Sequence, residues 1–213
     1  MNRIITPLVI AIFAVGNLVM VSGCSPNKSV DAQSNSAQNV ASEQSSEDQS
    51  RPPGGRFIMR THTGAIVTDE DFQGKYLLVS FGYMTCPDIC PMNLETMAQV
   101  QTLLGEKATK TQVLFVSVDP DRDTPALLGP YVKSFDPNFI GLSGTKVATD
   151  SMVKAYKVHY AFNGKDDPQD MDYSVDHSAQ VFFMSDTGEF IQRFGYGMTA
   201  DQIATIINKI IPD

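Results

Sequence analysis

The feature that most restricts the fold is a nearly unbroken apolar run, Tyr76 to Tyr83, which stops at Met84-Thr85-Cys86-Pro87 and gives way to a helical pattern. A strand without polar alternation is covered on both faces, so it belongs in the middle of a sheet with helices on each side. From Pro91 to Leu104, Leu94, Met97, Ala98 and Leu104 fall near one helical face, and Gly105 supplies a stop. Val113 to Val118 is a second buried strand. Helices are expected over about Thr124 to Phe135, with Asp123 as N-cap, and over Lys146 to Lys157 after Thr145. Gly129-Pro130 should kink or divide the first of these.

On either side of this parallel pair the pattern changes. Phe57 to Arg60 and Ala65 to Thr68 flank a His62-Thr63-Gly64 turn and read as a hairpin. Gln180 to Met184 and Glu189 to Phe194 do the same around Asp186-Thr187-Gly188, before a last amphipathic helix, Thr199 to Ile211. Asn163 to Asp170 is too polar and turn-rich for a regular element and reads as a loop. The order is that of an α/β, thioredoxin-like central sheet flanked by helices, with an extra N-terminal β-hairpin.

The first 55 residues differ in kind. Asn2-Arg3, the apolar stretch Ile4 to Val21 and then Val21-Ser22-Gly23 before Cys24 read as a lipoprotein signal peptide over residues 1–23, with Cys24 as the lipid anchor. An uncleaved transmembrane helix is the alternative, because the stretch is just long enough to span. Residues 24–55 are rich in Ser, Gln, Asn, Asp and Glu, bury too little to order themselves, and form a disordered tether with a coil dimension of about 30 Å. The folded domain is expected at 56–213, facing an oxidising extracytoplasmic space. A formal charge of -8 with no Lys/Arg cluster excludes a nucleic-acid partner; membrane contact comes through the lipid.

Chemistry concentrates at the junction between the central strand and the first helix. Pro91 suits the first helical position, which puts Cys90 at the cap and Cys86 in the loop before it. Free amides and the helix dipole there favour thiolates. Two sulfurs so spaced can close a disulfide or hold one soft ion such as Cu(I), and with Cys24 assigned to lipid they are the remaining cysteines of the chain. The other reading is a structural disulfide, which would constrain little across so short a loop. A third ligand must come from another loop. His62 and His159 read as surface residues, while His177 precedes the Gln180 to Met184 strand, whose loop a thioredoxin-like fold brings beside the cysteines. Asp119 ends the second strand and either orients His177 or accepts a hydrogen bond beside it, or caps the Asp121 to Pro125 turn. Asp88 and Asp176 are similar candidates, Met84 is an added thioether or packing, and the Asp166 to Asp172 loop reads as a solvated flap.

Three blocks, Phe81 to Pro91, Ser117 to Pro125 and Tyr173 to Ser178, resemble the signatures of the Sco (SenC) family in the family's order. The resemblance implies a membrane-tethered protein that binds one copper through Cys86, Cys90 and His177; two thiolates suit Cu(I), and Cu(II) can bind with Asp or water in a fourth position. It also implies a role in assembling the CuA centre of cytochrome c oxidase, with the subunit carrying CuA as partner; another periplasmic copper carrier is a further partner to expect. Met84-Thr85 departs from the family's usual Thr two residues before the first Cys. A thiol:disulfide oxidoreductase using Cys86 and Cys90 as its redox pair is the alternative. Three intervening residues instead of two, and the absence of Trp, argue against general reductase activity, and the motif of a peroxidase is missing.

Overall fold

The computed structural model describes residues 51–212 except Pro168, so the expected signal peptide, Cys24 and most of the tether lie outside the described residues. A seven-stranded sheet runs in the order β2-β1-β5-β4-β3-β8-β9. β3 (Tyr76–Gly82) lies parallel to β4 (Thr111–Ser117), which lies parallel to β5 (Ile140–Ser143). β8 (Val181–Met184) and β9 (Phe190–Phe194) add antiparallel strands beyond β3; β1 (Ile58–Thr61) and β2 (Ile66–Thr68) form the expected hairpin, joined through β1 to β5. Six of the seven β3 residues are buried, as its apolar run requires of a strand covered on both faces.

Pleat alternation sorts the helices. Gly82, Phe115 and Gly141 face α1 (Ile89–Leu104) and α2 (Pro125–Lys133), and α4 (Ala200–Ile210) packs beside α1. Phe81 and Phe182 point the other way, onto Tyr156 at the end of α3 (Lys146–Ala155). α4 opens with a reciprocal cap between Thr199 and Gln202, and α3 with Thr145 accepting from the Ala148 amide. Among the described residues no helix is long and apolar enough to cross a membrane.

Three expectations need correction, and one strand was not anticipated. β5 was not legible: Ile140-Gly141-Leu142-Ser143 is short, and Gly141 exists because a Cβ there would lie 2.5 Å from Leu128 of α2. Pro130 does not divide α2; one amide is lost, yet Leu128 and Val132 remain buried against the sheet. Its N-cap is Thr124 and not Asp123, which turns inward. The segment around the polar loop is more regular than expected, because β6 (Tyr160–Asn163) pairs antiparallel with β7 (Ser174–His177) as a separate two-stranded sheet. Just before Arg56, Pro53 is buried and the Gly54 amide donates to the Ala155 carbonyl at 2.9 Å.

Candidate metal centre

Cys86, Cys90 and His177 converge, with their ligand atoms all within 4.8 Å of one another. Each is delivered by a different device. Cys86 sits half-buried in the turn after β3, where its amide donates to the Tyr83 carbonyl. Cys90 is the second residue of α1, two positions inside the cap at Asp88 and not at the cap as expected; Pro91 is accommodated because first-turn amides have no helical partner. Gly82 makes room for the sulfur: a Cβ at that position would stand 2.5 Å from Cys90 Sγ and 2.9 Å from the Phe115 ring.

His177 ends β7 and is fixed from both sides. Its Nδ1 lies 3.1 Å from the Ser178 carbonyl, which can only accept, so Nδ1 carries the proton and Nε2 keeps a free lone pair. That lone pair faces Cys90 Sγ at 3.1 Å, and in the metal-free protein the thiol donates to it. Tyr83 packs edge-on against the imidazole, centroids 5.8 Å apart. Ser178 is tied back by its amide to the His159 carbonyl and by its hydroxyl to the His159 amide. Burial lowers the His177 pKa and keeps the ring neutral, the form a metal requires.

The expected thiolate at the helix start is not what the metal-free site favours at Cys90. Burial pushes that thiol well up, helped by the neighbouring Cys86 and Asp123 and only partly opposed by a backbone hydrogen bond at Tyr83. Desolvation outweighs the dipole at this depth, so loading a cation must displace a proton there.

Asp119 does not touch His177. It is fully buried, accepts from the Tyr173 hydroxyl at 2.6 Å and pairs with Arg122. Arg122 stacks 3.7 Å from the Tyr173 ring centroid and donates to the carbonyls of Tyr173 and Met171. Asp119 therefore holds Tyr173, the residue that leads into β7. Lys165 reinforces the same clamp by pairing with Asp121 at 2.6 Å over the Tyr173 ring. Asp88 and Asp176 are exposed, as are Asp166, Asp167 and Asp172. Met84 packs against the core. His159 is exposed as expected, whereas His62 is half-buried and its Nδ1 accepts from the Gly141 amide, bridging β1 to β5.

Not legible in the sequence pattern are the roles of Gly82, Tyr83, the Arg122–Tyr173 clamp and Asp123 as a buried acceptor. The last is buried, accepts from Ser117 at 2.6 Å and from the Met84 amide at 3.1 Å, and is raised to about 6 by burial. A glycine ending a buried strand was the one available signal, since strand glycines mark close approach.

Known proteins resemble this chain in sequence and fold. The family model described as SCO1/SenC matches residues 45–212. The human "Protein SCO1 homolog, mitochondrial" is 41% identical over 156 residues, covering 72% of this chain and 51% of that protein. The chain thus spans about half the length of the mitochondrial relatives it matches. The structure of Arabidopsis thaliana ScoI with copper bound superposes with a TM-score of 0.68 at 34% identity, covering 73% of this chain and 96% of that one. Bradyrhizobium japonicum ScoI with copper bound gives 0.67 at 35% identity, covering 75% and 99%. These likenesses and the mixed sheet establish the thioredoxin-like α/β fold expected above. With its signature blocks in order and its fold shared, the chain belongs to the SCO1/SenC family.

Proposed function

We propose that this chain is a copper metallochaperone that holds one Cu(I) through Cys86, Cys90 and His177 and assists assembly of the CuA site of cytochrome c oxidase. The observation that carries this reading is the convergence of two sulfurs and an unprotonated imidazole nitrogen within 4.8 Å. Two thiolates and a neutral imidazole form a soft, three-coordinate set suited to Cu(I). The copper-bound ScoI structures support copper as the ion. On loading, the Cys90 thiol gives up its proton and its bond to Nε2 is replaced by the metal. Release is ligand exchange: incoming client thiolates replace Cys86, Cys90 and His177 one at a time, with no electron transferred. Asp119 contributes by holding Tyr173 and Arg122, and so the approach of His177.

Residues 1–23 act in this proposal as a signal peptide and Cys24 as a diacylated anchor, with the tether ending where packing begins near Pro53 on the periplasmic side. Mass spectrometry of membrane-extracted protein should find the lipid on Cys24, and Cys24→Ala should move the protein to the soluble fraction.

A second reading is favoured by the same sulfurs: Cys86 and Cys90 are unlinked, and Cys86 is the more exposed. As an oxidoreductase, the Cys86 thiolate attacks a client disulfide, Cys90 resolves the mixed disulfide, and the client leaves as a dithiol while Cys86–Cys90 closes. The two readings separate on copper stoichiometry. One Cu(I) per chain, lost in Cys86→Ser and in Cys90→Ser, supports the chaperone; client reduction by a chain that retains no copper supports the oxidoreductase.

A further inference from the structure

We propose a second, weaker Cu(I) site in the pocket beside α1, held by the thioethers of Met92 and Met198. It rests on the copper reading only for the identity of the ion the chain meets. The pocket measures about 240 Å³ and is lined by Met92, Met97, Phe194, Tyr196, Met198 and Ile203, among others.

Cys90 and Met92 share the first turn of α1, but two residues turn the helix by about 200°. Cys90 therefore faces His177 while Met92 faces the segment between β9 and α4. Met92 is 49% exposed, and its sulfur accepts from the Tyr196 hydroxyl at 3.6 Å, so a lone pair is presented at the pocket rim. Met198 is half-buried and Met97 fully buried, and both line the same pocket. A thioether is a neutral, polarisable donor that selects Cu(I) over harder ions, and Phe194 and Ile203 add apolar surface to the pocket wall. Neutral donors leave the ion's charge uncompensated, which makes this site weaker than the two-thiolate centre.

The pocket and the main centre are built on the same two segments. Asn93, on the pocket wall, donates to the Ala179 carbonyl at 3.1 Å, two residues after His177. An ion held by Met92 and Met198 sits on the helix that carries Cys90, and its transfer to the main centre is ligand exchange, thiolate for thioether, without a redox step.

The test uses the full chain in detergent, labelled with ¹³C at the methionine methyls, with Cu(I) supplied anaerobically as its acetonitrile complex. In Cys86→Ser/Cys90→Ser/His177→Ala the first equivalent should shift the Met92 and Met198 methyls and leave the buried Met59 and Met152 unmoved. Adding Met92→Leu/Met198→Leu should abolish the equivalent retained in equilibrium dialysis, and the exposed change Met92→Leu alone should weaken it. In the unsubstituted chain the same shifts should appear only with the second equivalent. Cu(I) that moves neither methyl in the triple variant, or is retained undiminished after both leucine changes, overturns the proposal. Failure of the main-site reading looks different: the first equivalent would then bind the unsubstituted chain no better than the triple variant.

Discussion

Cys86 and Cys90 hang from the buried spine of the sheet, whereas His177 is presented by a two-stranded ribbon that shares no strand with it. The sulfur arm follows β3, with six of seven residues buried, and ends in a helix packed on the same core. The ribbon has half-buried or exposed residues along β6 and depends on side-chain clamps: Asp119 to Tyr173, Arg122 over Tyr173, and the ring contacts Tyr160–Phe162–Tyr173 at 5.5 and 5.4 Å. Elements with few buried apolar contacts open locally at lower cost than core strands. The sulfur arm should therefore share the stability of the whole fold, while the histidine arm can loosen by itself and release a ligand without unfolding the rest.

The largest expected effect lies under the sulfur arm. Asp123 has a folded-state pKa of about 6, above its usual 3.8, so the folded chain takes up its proton between those values. Its contribution to stability is therefore greatest below pH 4 and falls as pH rises through 6, by up to about 3 kcal/mol. Asp123→Asn keeps an oxygen for Ser117 and the Met84 amide and removes the charge. Denaturant midpoints at pH 4.5 and 7.5 should converge in this variant, and an unchanged pH slope would assign the burial cost elsewhere.

Gly82→Ala drives a methyl toward Cys90 Sγ and Phe115 and should cost about 2 kcal/mol of global stability, with copper affinity falling alongside. If it lowered copper affinity while leaving the denaturation midpoint untouched, the sulfur arm would not be coupled to the core. Tyr173→Phe deletes a buried hydroxyl bonded to Asp119 and should cost about 1 kcal/mol. That loss should appear as faster amide exchange in β6 and β7, with β3 and β4 unaffected; uniform acceleration would erase the distinction between the arms. Lys165→Ala, removing an ion pair at the ribbon's edge, should cost no more than about 0.5 kcal/mol and fade in high salt.

The same division explains what could be read from the chain. β3, β4 and α1 announce themselves because burial on both faces demands apolar residues, and a Cys-Pro turn at the end of such a strand marks the sulfur arm. The ribbon is invisible to that rule: Asp176 and Asn163 face solvent, and what holds the ribbon is aromatic and ionic contact across distant segments. His177 was accordingly legible only from its place ahead of the next core strand and through resemblance. Asp119 could be placed at a strand end, but its partners, Tyr173 and Arg122, are set by a fold-level encounter between two loops. β5 escaped notice because its glycine serves the helix above it and carries no strand signal.

The central claim is that two differently built arms close on one ion. A Cu(I) titration of the full reduced chain against a competing chelator, run in parallel for the unsubstituted protein and His177→Ala, tests it most directly. The account predicts tight one-to-one binding that weakens sharply without His177; binding that is feeble, or unchanged by the substitution, would leave the cysteines as a redox pair and contradict it.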